Sequence, residues 1–186
     1  GVVNQSERPI EPVLMHLPPY LQTEVKPKVQ QKGEKGVITV TLDSERLTDF
    51  GLTQSSVYLA RFAGDKVGDE NEIPVSAILL PDFSGMSDTE KANAPVVNLS
   101  IKDIDMSTAL AKKSKARQDI VITNTGRSPL QISKLQVFHP AVGAGLKKSV
   151  LKPGESTRLR VTVVKRNIGK KRSQLRLLMI TNAPMQ

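Results

Sequence analysis

From Thr157 to Val164 the chain alternates cleanly, with Leu159, Val161 and Val163 on one side and Arg158, Arg160 and Thr162 on the other. Successive side chains of an extended strand point to opposite faces, so this stretch is a strand with an apolar inner face and a basic outer one. A second run, Val37-Ile38-Thr39-Val40-Thr41-Leu42, has the β-branched density that favours strand over helix. At an offset of 121 residues, Ile38-Thr39-Val40-Thr41-Leu42 falls on Leu159-Arg160-Val161-Thr162-Val163. Shorter strand-like runs lie at Ile10 to Leu14, Leu21 to Val25, Ser55 to Phe62, Ile73 to Leu80, Val96 to Ile104, Ala116 to Thr123, Leu130 to Phe138 and Leu175 to Ile180. His139 to Gly145 reads as a Pro- and Gly-containing loop, and Ser107 to Lys115 as a loop rich in Lys and Ala.

The turns repeat as well as the strands. Asn124-Thr125-Gly126-Arg127-Ser128-Pro129-Leu130 has a degraded copy in Asn4-Gln5-Ser6-Glu7-Arg8-Pro9-Ile10, each a corner joining consecutive antiparallel strands. Asn4 to Gly33 spans 29 residues and Asn124 to Gly154 spans 30, and the offset falls to 118 at Ser55 against Ser173. Recurrence in order and spacing predicts two copies of one all-β sandwich: residues 1–83, a linker over 84–95, and residues 96–186. Ser87-Asp88-Thr89-Glu90 has capping-box spacing and predicts a short helix in the linker. In the second copy 25 residues, 96–120, lead up to the corner's strand, whereas almost nothing precedes the first corner. The first sandwich is therefore expected to lack its N-terminal strand: either the stretch starts inside a longer chain or something else covers that edge.

Charge separates the copies. Residues 1–83 carry 8 Lys/Arg against 12 Asp/Glu, and residues 96–186 carry 18 against 4, so the net +9 comes from a basic second domain. Cysteine and tryptophan are absent, which excludes disulfides and thiolate chemistry and leaves little for base or sugar stacking. No run approaches the roughly 20 apolar residues that cross a bilayer, and no export signal opens the chain. The imidazoles, His16 and His139, each sit shortly before a proline in their copies and are expected to serve the fold. Asp65, Asp69, Glu70 and Glu72 crowd one loop but lack the order of a calcium loop, so a solvated acidic loop is expected. No phosphate cradle, nucleophile–base pair or metal motif emerges. The expectation is no enzyme, no cofactor, no catalytic or metal residue and no small-molecule substrate.

The sharper chemical candidate is basic. Lys165, Arg166, Lys170, Lys171 and Arg172 crowd the turn at Asn167-Ile168-Gly169, with Arg158, Arg160 and Arg176 on the strands leading into and out of it. Cations on one hairpin ribbon attract polyanions: an anionic glycan, lipid headgroups or nucleic acid. Outward Lys and Arg equally keep strands soluble and protect sheet edges.

Ile122-Thr123-Asn124-Thr125-Gly126-Arg127-Ser128-Pro129-Leu130, Leu151-Lys152-Pro153-Gly154-Glu155-Ser156, Ile180-Thr181-Asn182 and the connector from Asp82 to Pro95 together resemble a bacterial family of exported immunoglobulin-like domains, domain of unknown function fifteen-seventy-three, related to the ASH and major-sperm-protein sandwiches. The resemblance covers nearly the whole chain. It implies two tandem immunoglobulin-like β-sandwiches in the periplasm or on the surface of a Gram-negative bacterium, with no established activity. Where many members carry Cys-Gly-Cys, this chain has His139-Pro140-Ala141, so no redox or metal role carries over. The expected role is a non-catalytic interaction or spacer module. Its expected partner is a protein pairing with the exposed strand edge of the first domain, with an anionic surface polymer as the alternative.

Overall fold

The computed structural model describes residues 1–169 and 175–184. Two compact units divide the chain, Gly1–Leu79 and Leu80–Gln186. In the first, strands β1 (Val2–Val3), β3 (Leu21–Lys26) and β4 (Lys35–Leu42) form one sheet in the order β1-β4-β3. Strands β2 (Val13–Met15), β5 (Gly51–Ala60) and β6 (Glu72–Leu79) form the other, in the order β2-β5-β6, and every pairing is antiparallel. The core is small: Tyr20, Leu21, Leu47 and Val57, with Leu14, Leu17, Val75, Ala77 and Leu79 packed against it.

The second unit opens with helix α1 (Asp88–Asn93) and strand β7 (Val97–Leu99), followed by helix α2 (Ser107–Lys112). The capping box forms as its spacing predicts: the Ser87 Oγ accepts from Glu90 N and Glu90 Oε2 accepts from Ser87 N. Strands β8 (Lys115–Asn124), β9 (Leu130–Val137), β10 (Val142–Leu146), β11 (Val150–Leu151), β12 (Ser156–Val164) and β13 (Leu177–Thr181) complete the unit. They make the sheets β10-β12-β8-β7 and β11-β9-β13. The inner faces bury Ile120, Ile122, Leu130, Ile132, Leu151, Leu159, Val161 and Val163 between them.

Three features differ from the sequence expectations, each for a physical reason. The Asn4 and Asn124 corners join strands of different sheets, because each consecutive pair must supply one inner face apiece. Likewise β12 pairs with β8 and β10, and β13 with β9, so the stretch expected to be a basic hairpin crosses between sheets. Most of the expected loop over 139–145 belongs to β10: Val142, Ala144 and Leu146 keep the strand period, but glycines stand where polar residues would have revealed it. The expected Lys/Ala loop holds α2, whose Leu110 packs against the core.

On the side away from β3, β4 is paired among the described residues by Val2 and Val3, at Gly36 and Lys35, where β12 is paired with β8 from Ser156 to Val164.

Candidate strand-acceptor edge

Each corner is built around one buried asparagine. Asn124 donates from Nδ2 to the carbonyls of Ser128 (2.8 Å) and Leu151 (3.0 Å), and its Oδ1 accepts from Gly126 N (3.0 Å) and Val96 N (3.3 Å). Asn4 repeats this, donating to Arg8 O (2.8 Å) and Gln30 O (2.9 Å) and accepting from Ser6 N (2.9 Å). The backbones match too: Gly33 N donates to Asn4 O and Gly154 N to Asn124 O, both at 2.7 Å and both from glycines of positive φ. A side chain with two donors and an acceptor satisfies carbonyls that the crossing between sheets would otherwise bury unpaired.

Among the positions at which the corners differ, the third has a steric reason. A Cβ on Gly126 would lie 2.4 Å from Ala94 O and Val96 N, because the chain entering β7 passes directly over it. The first copy has Ser6 there, and its hydroxyl donates to Asn4 Oδ1 (2.7 Å), the oxygen that in the second copy receives Val96 N.

Among the described residues no strand pairs with β4 on its β1 side from Val37 to Leu42. The face that is inward in the second copy is also largely uncovered here: Val40 is 45% and Leu42 43% exposed, where their counterparts Val161 and Val163 are 7% and 6%. An edge that presents unpaired backbone groups and β-branched side chains is a template for another strand. Against Gly36, just before this stretch, lies Gln30, fully buried, with neither side-chain Nε2 nor Oε1 hydrogen-bonded among the described residues. The second copy has Leu151 in that place, and Thr157 where the first has Gly36, against which the Gln30 amide packs.

Among the described residues the basic candidates divide between two places. Arg158 and Arg160 are exposed on the outer face of β12, beside exposed Arg117 of β8, and Arg160 Nε donates to Asp119 Oδ1 at 3.1 Å. Arg160 holds the Asp119 carboxyl below its usual range, chiefly through that hydrogen bond. Lys165 and Arg166 lie in a 3-10 turn, Lys165–Asn167, beyond β12, whereas Arg176 leads into β13 in the other sheet. Lys170, Lys171 and Arg172 lie outside the described residues. Sequence reading missed Arg117 and Lys147. With Arg158 and Arg160, exposed Lys147 borders a shallow depression of about 250 Å³.

His139 Nδ1 accepts from Ala141 N at 3.1 Å and so shapes the turn into β10. His16, at φ 58°, sets its ring edge-on to Tyr58 at 5.4 Å. In the acidic loop Asp65 is held bidentate by Arg61, at 2.8 and 3.0 Å, and Ser56 donates to Glu72. The Arg61 hydrogen bond lowers the Asp65 pKa to about 2. Among the described residues no three His, Asp or Glu side chains are placed to hold one metal ion.

Face-to-face antiparallel sheets, crossed by asparagine corners, define the chain as all-β and built of immunoglobulin-like sandwiches. Residues 95–185 match the family model described as HYDIN/CFA65/VesB-like, Ig-like domain, which places that stretch among Ig-like domains. A solved structure similar to this chain is that of a protein of unknown function from Porphyromonas gingivalis W83. It is 21% identical, with a TM-score of 0.57 over 88% of this chain and 72% of that one, a likeness of fold. Curated proteins gave no match.

Proposed function

We propose that the chain is a non-catalytic interaction module that binds another protein by strand addition at β4. The observation that carries this is the edge from Val37 to Leu42, unpaired among the described residues, with its exposed valine and leucine, set beside the paired and buried β12 of the second copy. The resemblance to exported immunoglobulin-like domains, family fifteen-seventy-three with its ASH relatives, supports a place in the periplasm or on the surface of a Gram-negative bacterium.

The second copy supplies a probe. A peptide of the β8 sequence, residues 115–124, added to the whole chain should slow hydrogen exchange at Val37 to Leu42. The same peptide N-methylated at alternate residues cannot complete the ladder and should leave exchange unchanged. If the native peptide gives no protection, or the methylated one gives as much, strand addition at β4 is wrong.

A second reading rests on the outer face of β8 and β12, where Arg117, Arg158 and Lys147 are exposed. It takes an anionic polymer such as a surface glycan. Binding should weaken linearly in log–log form with salt, and Arg117→Gln with Arg158→Gln should lower the salt that elutes the chain from heparin. Unchanged elution would leave the basic face with only a solubility role.

A further inference from the structure

The outer face of the β10-β12-β8-β7 sheet gathers cations from three strands around a strip of bare backbone. On β12, Arg160 lies opposite Asp119 of β8 and Thr162 opposite Arg117, and on its other side Arg160 lies opposite Gly145 of β10 and Thr162 opposite Gly143. With Lys147 and Arg158, Arg160 and Gly145 line the shallow depression of about 250 Å³, and every residue around it is described.

The cations here are not used up by the fold. Arg160 engages Asp119 through Nε, and Arg158 and Lys147 form no ion pair among the described residues. Asp119 sits among them as a built-in counterion: Arg160 holds its carboxyl below the usual range through the hydrogen bond, and the charges of Arg117 and Arg158 act in the same direction. The glycines are not demanded by the fold either. Neither Gly143 nor Gly145 has a positive φ, and a Cβ built on either would meet nothing within 4 Å. Glycine inside a strand weakens it, and one use of it is to let a ligand come close to the backbone.

Spacing and surroundings define that ligand. Arg117 pairs with Thr162, four positions along β12 from Arg158, a span of about 14 Å at about 3.4 Å per residue. A single small anion cannot meet both, whereas a chain with an acidic group on successive units can. No aromatic ring borders the depression and both tyrosines belong to the first unit, so stacked bases find no platform. A lipid surface calls for apolar side chains projecting among the cations, and glycine backbone stands there instead. A flat strip of backbone beside guanidinium groups suits a saturated ring whose acidic group reaches the arginine fork.

We propose that this strip is a subsite for an acidic polysaccharide, a chain of carboxylated or sulfated sugars. One ring lies against Gly143 and Gly145 with its acidic group on Arg160, in competition with Asp119, and neighbouring acidic groups meet Arg158 and Arg117. The inference rests on the reading of the basic face as a binder of anionic polymers, and adds which polymer it takes and where that polymer lies.

The test is calorimetric titration of the whole chain with a heparin tetrasaccharide and, separately, with linear polyphosphate of equal charge. Gly145→Val keeps every charge and puts a strand-favouring side chain into open space. It should weaken the tetrasaccharide about tenfold and polyphosphate, which has no ring to seat, less than about twofold. Asp119→Asn removes the competing carboxylate and should strengthen both ligands about threefold or more. If Arg117→Gln with Arg158→Gln leaves both ligands bound as before, the reading of the basic face fails and this inference with it. If that pair weakens both ligands but Gly145→Val changes neither, or changes both alike, the face binds anions without a seat for a sugar ring and the inference alone is overturned. It is overturned also if Asp119→Asn leaves both affinities unchanged, or if oligothymidylate of equal charge binds more tightly than the tetrasaccharide.

Discussion

Asn124 closes four hydrogen bonds in a site with no access to water, so its replacement leaves two carbonyls without a donor. Asn124→Ala should destabilise the second unit by about 2–4 kcal/mol, measurable by urea denaturation, because buried unpaired groups cost about 1–3 kcal/mol each. Gln30 is the reverse case: its buried amide has no partner among the described residues, and the other copy places leucine there. Gln30→Leu should raise the stability of the first unit by about 1–2 kcal/mol, seen as a later thermal transition. Asp65 gives a pH prediction. Its folded pKa, about 2, lies below its ordinary 3.8, so its contribution is fully present above about pH 4 and is lost as pH falls toward 2. In Arg61→Gln the Asp65 carboxyl should titrate near its ordinary value, as followed by carboxyl carbon NMR.

Elements show what a sequence can and cannot transmit. The strands β4 and β12 were legible because their apolar and polar positions alternate, and the corners because Asn, Gly and Pro mark the turns. β10 was hidden because Gly143 and Gly145 carry no side chain to supply the polar half of the alternation. Sheet membership was hidden too, since a turn motif fixes where a chain reverses but not whether the next strand pairs with the last. Hence eight cations placed on one ribbon proved to lie, where described, on elements of different sheets. The short pairing of β1 with β4 was legible from the 25 residues that precede one corner and not the other, whereas an apolar cleft of the second unit had no signature: it is lined by segments far apart in sequence.

For the molecule as a whole, the two cores are unequal. Among the described residues, four buried apolar side chains centre the first and eleven the second. Hydrophobic stabilisation scales with buried apolar area, so unfolding in guanidinium should proceed in two steps, with Tyr20 and Tyr58 of the first unit changing fluorescence before the amides of β8 and β12 lose protection. A single coincident transition by both probes would show that the smaller core does not stand alone. Binding a strand at β4 should move the first transition to higher denaturant and leave the second in place.

The contrast between Ser6 and Gly126 reaches into heredity. Tandem copies in a gene invite unequal recombination, which would exchange one corner for the other. A serine arriving at position 126 would meet the Ala94 carbonyl and the Val96 amide 2.4 Å from its Cβ, whereas a glycine arriving at position 6 would forfeit the hydroxyl that donates to Asn4. Such an exchange would carry a steric cost at one corner and lose a hydrogen bond at the other.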